Sequence, residues 1–314
     1  MKKLPKIALG AWAWGNDGTF GNSLDEISLR QVFDSAMSRG FNLWDTAYAY
    51  GMGASEKTLA AFIKGLPRED VLVSDKFTPQ CVADPQSPSQ TVLKEMHDMQ
   101  LKLMDLDRFD IYWIHNTVGA PGWTEQLAIL FENREDAPLI GVSNHNLEEI
   151  RKADAILKAH GLRVSAVQNH YSLLNRSSER SGILEWCRSN RAVFFSYMVL
   201  EQGALSGKYD TAHPMPEGSA RAAVYNPMLG KLEILNAELT KIAETHGTEA
   251  AQIPVAWAIA KGTLPIIGVT RPTHVEGAAR AAAIELSTRE IADLESVADR
   301  LELDTIRFWE KEMK

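Results

Sequence analysis

Phe109-Asp110-Ile111-Tyr112-Trp113-Ile114-His115 is a short apolar segment of strand character that stops on a polar ring. Segments of the same kind recur on both sides of it. They read as Ile7–Leu9, Leu43–Asp45, Val71–Lys76, Leu139–Ser143, Ala166–Asn169, Val193–Tyr197 and Leu264–Gly268, each bounded by polar or glycine punctuation. With the first, that makes eight strands.

Longer helical patterns fill the intervals. Ser23 with Glu26 reads as a capping box opening the first helix, and Pro88-Ser89 opens another that runs to Met104. Further helical periods cover Leu147–His160, Glu179–Arg188, Leu229–His246, Glu249–Ala260 and Thr273–Ala283, and the stretch from Thr288 adds a helix outside the count. Strand followed by helix, eight times over, is the rhythm of parallel βα units and predicts a closed (β/α)8 TIM barrel, an α/β fold occupying residues 1–314 as one domain. No repeat, low-complexity tract or linker divides the chain. The longest break, Glu201 to Pro227, follows the seventh strand with little helical period. It reads as a lid over a bound ligand, or else as a disordered surface insertion.

The 314 residues are 45% hydrophobic and 24% charged, within the range of globular proteins with a large core. With 33 Lys and Arg against 41 Asp and Glu, the net charge is −8, the wrong sign for a nucleic-acid partner. Cys81 and Cys187 are the only cysteines and have no metal or disulfide spacing, which points to a reducing, cytoplasmic setting. The apolar stretch up to Trp14 is short and broken by glycine, unlike a signal peptide, and no run is long enough to span a membrane. The histidines are scattered, so no metal site is expected. Gly51-Met52-Gly53 lacks the third glycine of a dinucleotide-binding loop.

On a parallel barrel, side chains at the carboxyl ends of the strands converge on one mouth. Asp45 ends the second strand, Lys76 the third and His115 the fourth, while Tyr50 follows five residues after Asp45. Ser143 and Asn144 end the fifth strand, Gln168 and Asn169 the sixth. A tyrosine, with an ordinary pKa of about 10, is a reluctant acid-base, and a nearby ammonium favours its phenolate. Lys76 would supply that charge and Asp45 would hold Lys76 protonated and oriented. His115 would hydrogen-bond a carbonyl oxygen on which negative charge develops as hydride arrives at carbon, and Tyr50 would deliver the proton. Trp12, Trp14 and Trp113 fall at the ends of the first and fourth strands, as an apolar wall beside the carbonyl or as core.

These residues resemble the aldo-keto reductase family, through Asp45-Thr46-Ala47-Tyr48-Ala49-Tyr50-Gly51 with Glu56, Ser74-Asp75-Lys76, Asp110–His115 and Gly141-Val142-Ser143-Asn144. The resemblance spans most of the chain. It implies an oxidoreductase interconverting an aldehyde or ketone with an alcohol by means of a nicotinamide cofactor; Arg271 and Thr270 read as a site for a 2′-phosphate, which favours NADP (NADPH) and leaves NAD open. It also implies that Ser143, Asn144 and Gln168 hold the nicotinamide carboxamide and that Tyr197 stacks on the ring. Gln202, Gly203, Leu205 and Lys208 would lie along the pyrophosphate. Gly268, Thr270, Arg271 and His274 would meet the adenosine phosphate end, and Trp12 is counted with these cofactor contacts. Trp14 and Trp113 are assigned to substrate, a small carbonyl compound.

The chain departs from the family at Asn116, at Met198-Val199 and at Ala278. Two other readings remain: Lys76 as a Schiff-base nucleophile on the same barrel, or a cofactor-binding module without turnover.

Overall fold

The structure is a computed structural model that describes residues 3–21, 24–307 and 309–314. Its strands are β1 (Ala8–Gly10), β2 (Leu43–Asp45), β3 (Leu72–Phe77), β4 (Ile111–Ile114), β5 (Leu139–Ser143), β6 (Ala166–His170), β7 (Val193–Tyr197) and β8 (Leu264–Gly268). Each pairs in parallel with the next, and β1 closes on β8, so the sheet is a barrel with sequential order. The eight expected strands are all present, with ends displaced by two residues or fewer.

Side chains alternate inward and outward along each strand. Leu43, Leu72, Ile111, Trp113, Ala166, Phe195 and Leu264 form a compact cluster inside the barrel. Their neighbours one residue along, such as Trp44, Val73, Tyr112, Val167 and Phe194, face out into the larger core beneath the helices. This parity carries upward, so Asp45, Ser74, Lys76, Ser143, Gln168, His170 and Tyr197 share the inward register.

The helices are α1 (Glu26–Ser38), α2 (Ala54–Ile63), α3 (Gln90–Met104), α4 (Gly122–Phe131), α5 (Leu147–Ala159), α6 (Ser177–Arg180), α7 (Ile183–Asn190), α8 (Ala220–Tyr225), α9 (Leu229–Thr245), α10 (Gln252–Ala260), α11 (Pro272–Ala281) and α12 (Thr288–Leu301). The capping box expected at Ser23 lies outside the described residues. Helix α1 is capped by Asp25, whose carboxylate accepts from the Ser28 N–H at 2.9 Å. The single helix expected over 179–188 is two, because Gly182 adopts a left-handed φ of 81° between α6 and α7. Helices α2 and α4 have no counterpart in the sequence reading. Six of the ten residues of α4 are buried, so its apolar period is too broad to stand out.

The segment 201–227 is folded. It holds a 3-10 turn at Glu201–Gly203 and helix α8, capped by the Ser219 hydroxyl. Residues 302–307 and 309–314 then leave α12, which packs on α9, and return across the carboxyl ends of the strands. Among the described residues, no helix is long and apolar enough to cross a membrane.

Candidate active site

Strand register brings the inward polar residues together. Asp45 is opposite Ser74, Lys76 opposite Trp113, Ser143 opposite Gln168 and His170 opposite Tyr197. Tyr50 belongs to the loop between β2 and α2, which closes tightly on the loop after β1. A Cβ built on Gly51 would sit 2.1 Å from the Gly15 carbonyl oxygen, so only glycine allows this approach. The approach stacks the Trp12 ring on Tyr50, with centroids 5.8 Å apart.

Lys76 is fully buried. Its ammonium donates to Asp45 Oδ1 at 2.6 Å, to the Thr46 carbonyl at 2.7 Å and to the Tyr50 hydroxyl at 3.1 Å, which uses all three hydrogens. Burial pulls the Lys76 pKa down, but the Asp45 carboxylate and the Tyr50 oxygen outweigh it and the net direction is up, so the ammonium is kept. At Tyr50 two effects oppose each other. Lys76 does favour its phenolate, yet burial is the larger effect, and the Tyr50 pKa is raised above 10. The resting group is a phenol, a proton donor.

Asp45 is held in turn. Its Oδ2 accepts from the Ser74 hydroxyl at 2.8 Å and from Gln168 Nε2 at 3.1 Å, and Ser74 accepts from Trp113 Nε1 at 2.7 Å. Behind the site, the Glu56 carboxylate accepts from Gln100, which also reaches the Lys76 carbonyl.

His115 lies edge-on to Tyr50, with ring centroids 5.9 Å apart. Burial, with a contribution from Lys76, depresses its pKa well below the usual histidine range, so the ring is neutral. Nδ1 is 2.7 Å from the Thr78 hydroxyl. With Thr78 donating to Nδ1, the one N–H of the neutral imidazole is on Nε2, which has no hydrogen-bond partner among the described residues. Asn144 adopts a left-handed φ of 60° and donates to the His115 carbonyl at 3.1 Å, while its Oδ1 accepts from the Tyr197 hydroxyl at 2.5 Å.

The two tryptophans assigned to substrate are placed elsewhere. Trp14 is buried under the helices against Trp44 and Phe62, with Nε1 on the Val269 carbonyl at 2.8 Å. Trp113 fills the barrel interior. A Cβ on Gly141 would lie 2.1 Å from its Cε3, so a missing side chain on β5 makes room for the indole. Its parity points it inward, and a ring of that size fills the space instead of lining the mouth. Trp12 is half-buried, and besides Tyr50 it meets Phe20 and Trp309 edge-on.

Of the residues assigned to cofactor, Ser143, Asn144, Gln168 and Tyr197 surround the Asp45–Lys76–Tyr50–His115 group. Gln202 and Gly203 begin the loop after β7, at φ 53° and 101°. The Leu205 side chain is in the core, so only its backbone could face a ligand. Gly268 is exposed at the end of β8, and Thr270 N–H is 3.2 Å from His274 Nδ1. Burial, then Arg271 and Lys208, lowers the His274 pKa, so two cations from separate loops converge on it. Among the described residues there is no cluster of side chains suited to a metal.

Sequence reasoning missed the groups that hold the site in place: Ser74, Thr78 and Arg221. Arg221 donates to the Gln202 carbonyl at 3.0 Å. It also missed the C-terminal residues Glu310, which reaches His170 on β6, and Arg307, which donates to Gln202 Oε1.

The family model of the Aldo/keto reductase family matches residues 6–299. A chloroplastic pyridoxal reductase from Arabidopsis thaliana is 31% identical over 308 residues, covering 93% of this chain and 82% of that protein. The NADP(+) aldo-keto reductase yakc of Schizosaccharomyces pombe is 27% identical over 316 residues, covering 96% and 91%. In fold, a glycerol dehydrogenase from Gluconobacter oxydans superposes with a TM-score of 0.81 at 22% identity, covering 98% and 95%. The barrel, its mouth and the family match agree: this chain belongs to the aldo/keto reductase family.

Proposed function

We propose that the protein is an NADPH-dependent carbonyl reductase in which Tyr50 is the acid-base group, Lys76 and Asp45 tune it and His115 orients the carbonyl. The observation that carries this reading is the spent ammonium of Lys76. With its three hydrogens on Asp45, Thr46 and Tyr50, Lys76 is a fixed charge beside the phenol. A Schiff-base nucleophile needs a neutral amine, and the raised Lys76 pKa opposes that.

The residues present fit the cofactor. Gln202 Nε2 and Arg221 Nε are buried donors without an acceptor, beside the loop that would follow a pyrophosphate. Lys208, Arg271, Thr270 and His274 would hold a 2′-phosphate, which favours NADPH over NADH, in line with the NADP(+) of the Schizosaccharomyces pombe relative. Ser143, Asn144 and Gln168 would hold the carboxamide, with Tyr197 against the ring and Trp12 alongside.

When bound, the reduced nicotinamide supplies the hydride. As the carbonyl carbon accepts it, charge gathers on the oxygen, where the His115 Nε2–H donates a hydrogen bond. The Tyr50 hydroxyl gives its proton to that oxygen, completing the alcohol, and the Tyr50 oxygen is left facing the Lys76 ammonium at 3.1 Å. Solvent restores the proton, and oxidation of an alcohol runs the same steps backwards. The free thiols Cys81 and Cys187 accord with a reducing, cytoplasmic setting.

Absorbance at the nicotinamide band, followed with NADPH and then NADH against a panel of aldehydes and ketones, tests the reading. Carbonyl-dependent loss of NADPH, faster than of NADH, is expected. No consumption of either would refute it.

A further inference from the structure

The C-terminal tail places a carboxylate beside the nicotinamide platform. Glu310 has a side chain only 1% exposed, and its Oε2 is 2.8 Å from His170 Nδ1 and accepts from the Arg307 N–H at 3.0 Å. The other nitrogen of His170 meets Glu201 Oε1 at 2.8 Å. A ring between two carboxylates donates from both nitrogens and is an imidazolium. Glu201 is itself fixed by Ser172, by the Tyr225 hydroxyl at 2.6 Å and by Thr305 at 3.3 Å. Arg307, stacked on the Tyr225 ring at 4.6 Å, brings the buried charge of Glu201, Glu310, His170 and Arg307 to zero.

This assembly leans on Tyr197. His170 and Tyr197 are register partners on β6 and β7, with ring centroids 5.8 Å apart. The Tyr197 hydroxyl donates to Asn144 Oδ1 at 2.5 Å. Among the described residues, Glu310 Oε1 is buried without a donor, so the carboxylate acts on Tyr197 through the His170 ring it holds. The Tyr197 ring is therefore braced by His170, which the tail carboxylate holds, as well as by its own bond to Asn144.

We propose that Glu310 is a positioning residue for the nicotinamide site. By holding the His170 ring, it sets the Tyr197 ring packed against it, and through the Tyr197 hydroxyl the Asn144 amide, in the orientation the nicotinamide half needs. Cofactor affinity then depends on a residue of the segment that follows α12. The inference rests on the function proposed above.

Lys311 separates positioning from mere attachment of the tail. It pairs with Glu149 at 2.5 Å and helps hold the tail without touching Tyr197. Calorimetric titration of wild type, E310A, E310Q and K311A with NADPH, alongside the melting temperature of each, reads both effects. E310A is expected to weaken binding by roughly fivefold to tenfold, about the worth of one hydrogen bond. K311A should stay within about twofold, because Lys311 pairs with Glu149 and not with His170. E310Q keeps the acceptor for His170 and should lose about threefold, so it carries the test if E310A fails to fold. Wild-type affinity in both Glu310 variants, or equal losses in E310A and K311A, would overturn the positioning role alone. Absence of NADPH binding by the wild type would overturn the proposed function, and this inference with it.

Discussion

Lys76 Nζ stands 3.1 Å from the Tyr50 hydroxyl because Asp45 Oδ1, at 2.6 Å, holds the ammonium from the other side. Both charged partners are buried, Lys76 fully and Asp45 at 2% exposure, so removing one leaves the other uncompensated. Asp45→Asn should lower stability by about 3 to 5 kcal/mol and reduce turnover by about 10- to 100-fold. Urea unfolding and steady-state kinetics together check this.

The raised Tyr50 pKa sets a pH dependence. The proton-donating form persists below that pKa and is lost as pH rises through it. Carbonyl reduction should therefore be level through neutral pH and fall only above the ordinary tyrosine value of 10. Lys76→Met removes the one named cation that pulls this pKa down. Its falling limb should lie at still higher pH, on a lower plateau, because the phenol is then a weaker acid. A limb that moved to lower pH would contradict the assignment.

Gly141 and Trp113 give a test of the barrel interior. Gly141→Ala drives a methyl to 2.1 Å from the indole, which cannot move without disturbing the Trp113–Ser74–Asp45 chain. Overpacking of this kind costs about 1 to 3 kcal/mol. The variant should melt several degrees below wild type and turn over more slowly, since Asp45 shifts with Ser74.

His170 links stability to alkaline pH. Its pKa is lowered by burial, but Glu201 and Glu310 more than reverse that and lift it from 6.5 to about 10. A group with a raised folded-state pKa contributes its full stability below the unfolded value and loses it as pH rises through the folded one. Unfolding free energy should decline between about pH 6.5 and 10, and His170→Gln should flatten that decline while lowering stability at neutral pH. Urea midpoints at pH 6.5 and 9.5 measure it.

The barrel was legible because strand ends are marked by polar residues that must face a common mouth. Asp45, Lys76 and His115 at successive strand ends, with Tyr50 five residues after Asp45, stood out as a set for that reason. What stayed hidden depends on parity and long-range closure. Trp113 looks like a pocket wall from its place near a strand end, and only the empty space over Gly141 shows that it fills the interior. The lysine beside Tyr50 is visible in sequence, but the burial that outweighs its charge on the phenol is not. Glu310 and His170 are 140 residues apart, and no local pattern predicts that the tail returns to β6.

The central claim is that Tyr50 delivers the proton. Tyr50→Phe removes the hydroxyl and leaves the ring stacked on Trp12, and the residues proposed to bind cofactor are untouched. The most direct test follows NADPH oxidation by stopped flow with a carbonyl substrate while NADPH affinity is measured separately. The account predicts a loss of about 10²- to 10⁴-fold in the rate, with cofactor affinity within about twofold of wild type. A variant that still reduced the carbonyl at a rate near wild type would contradict it.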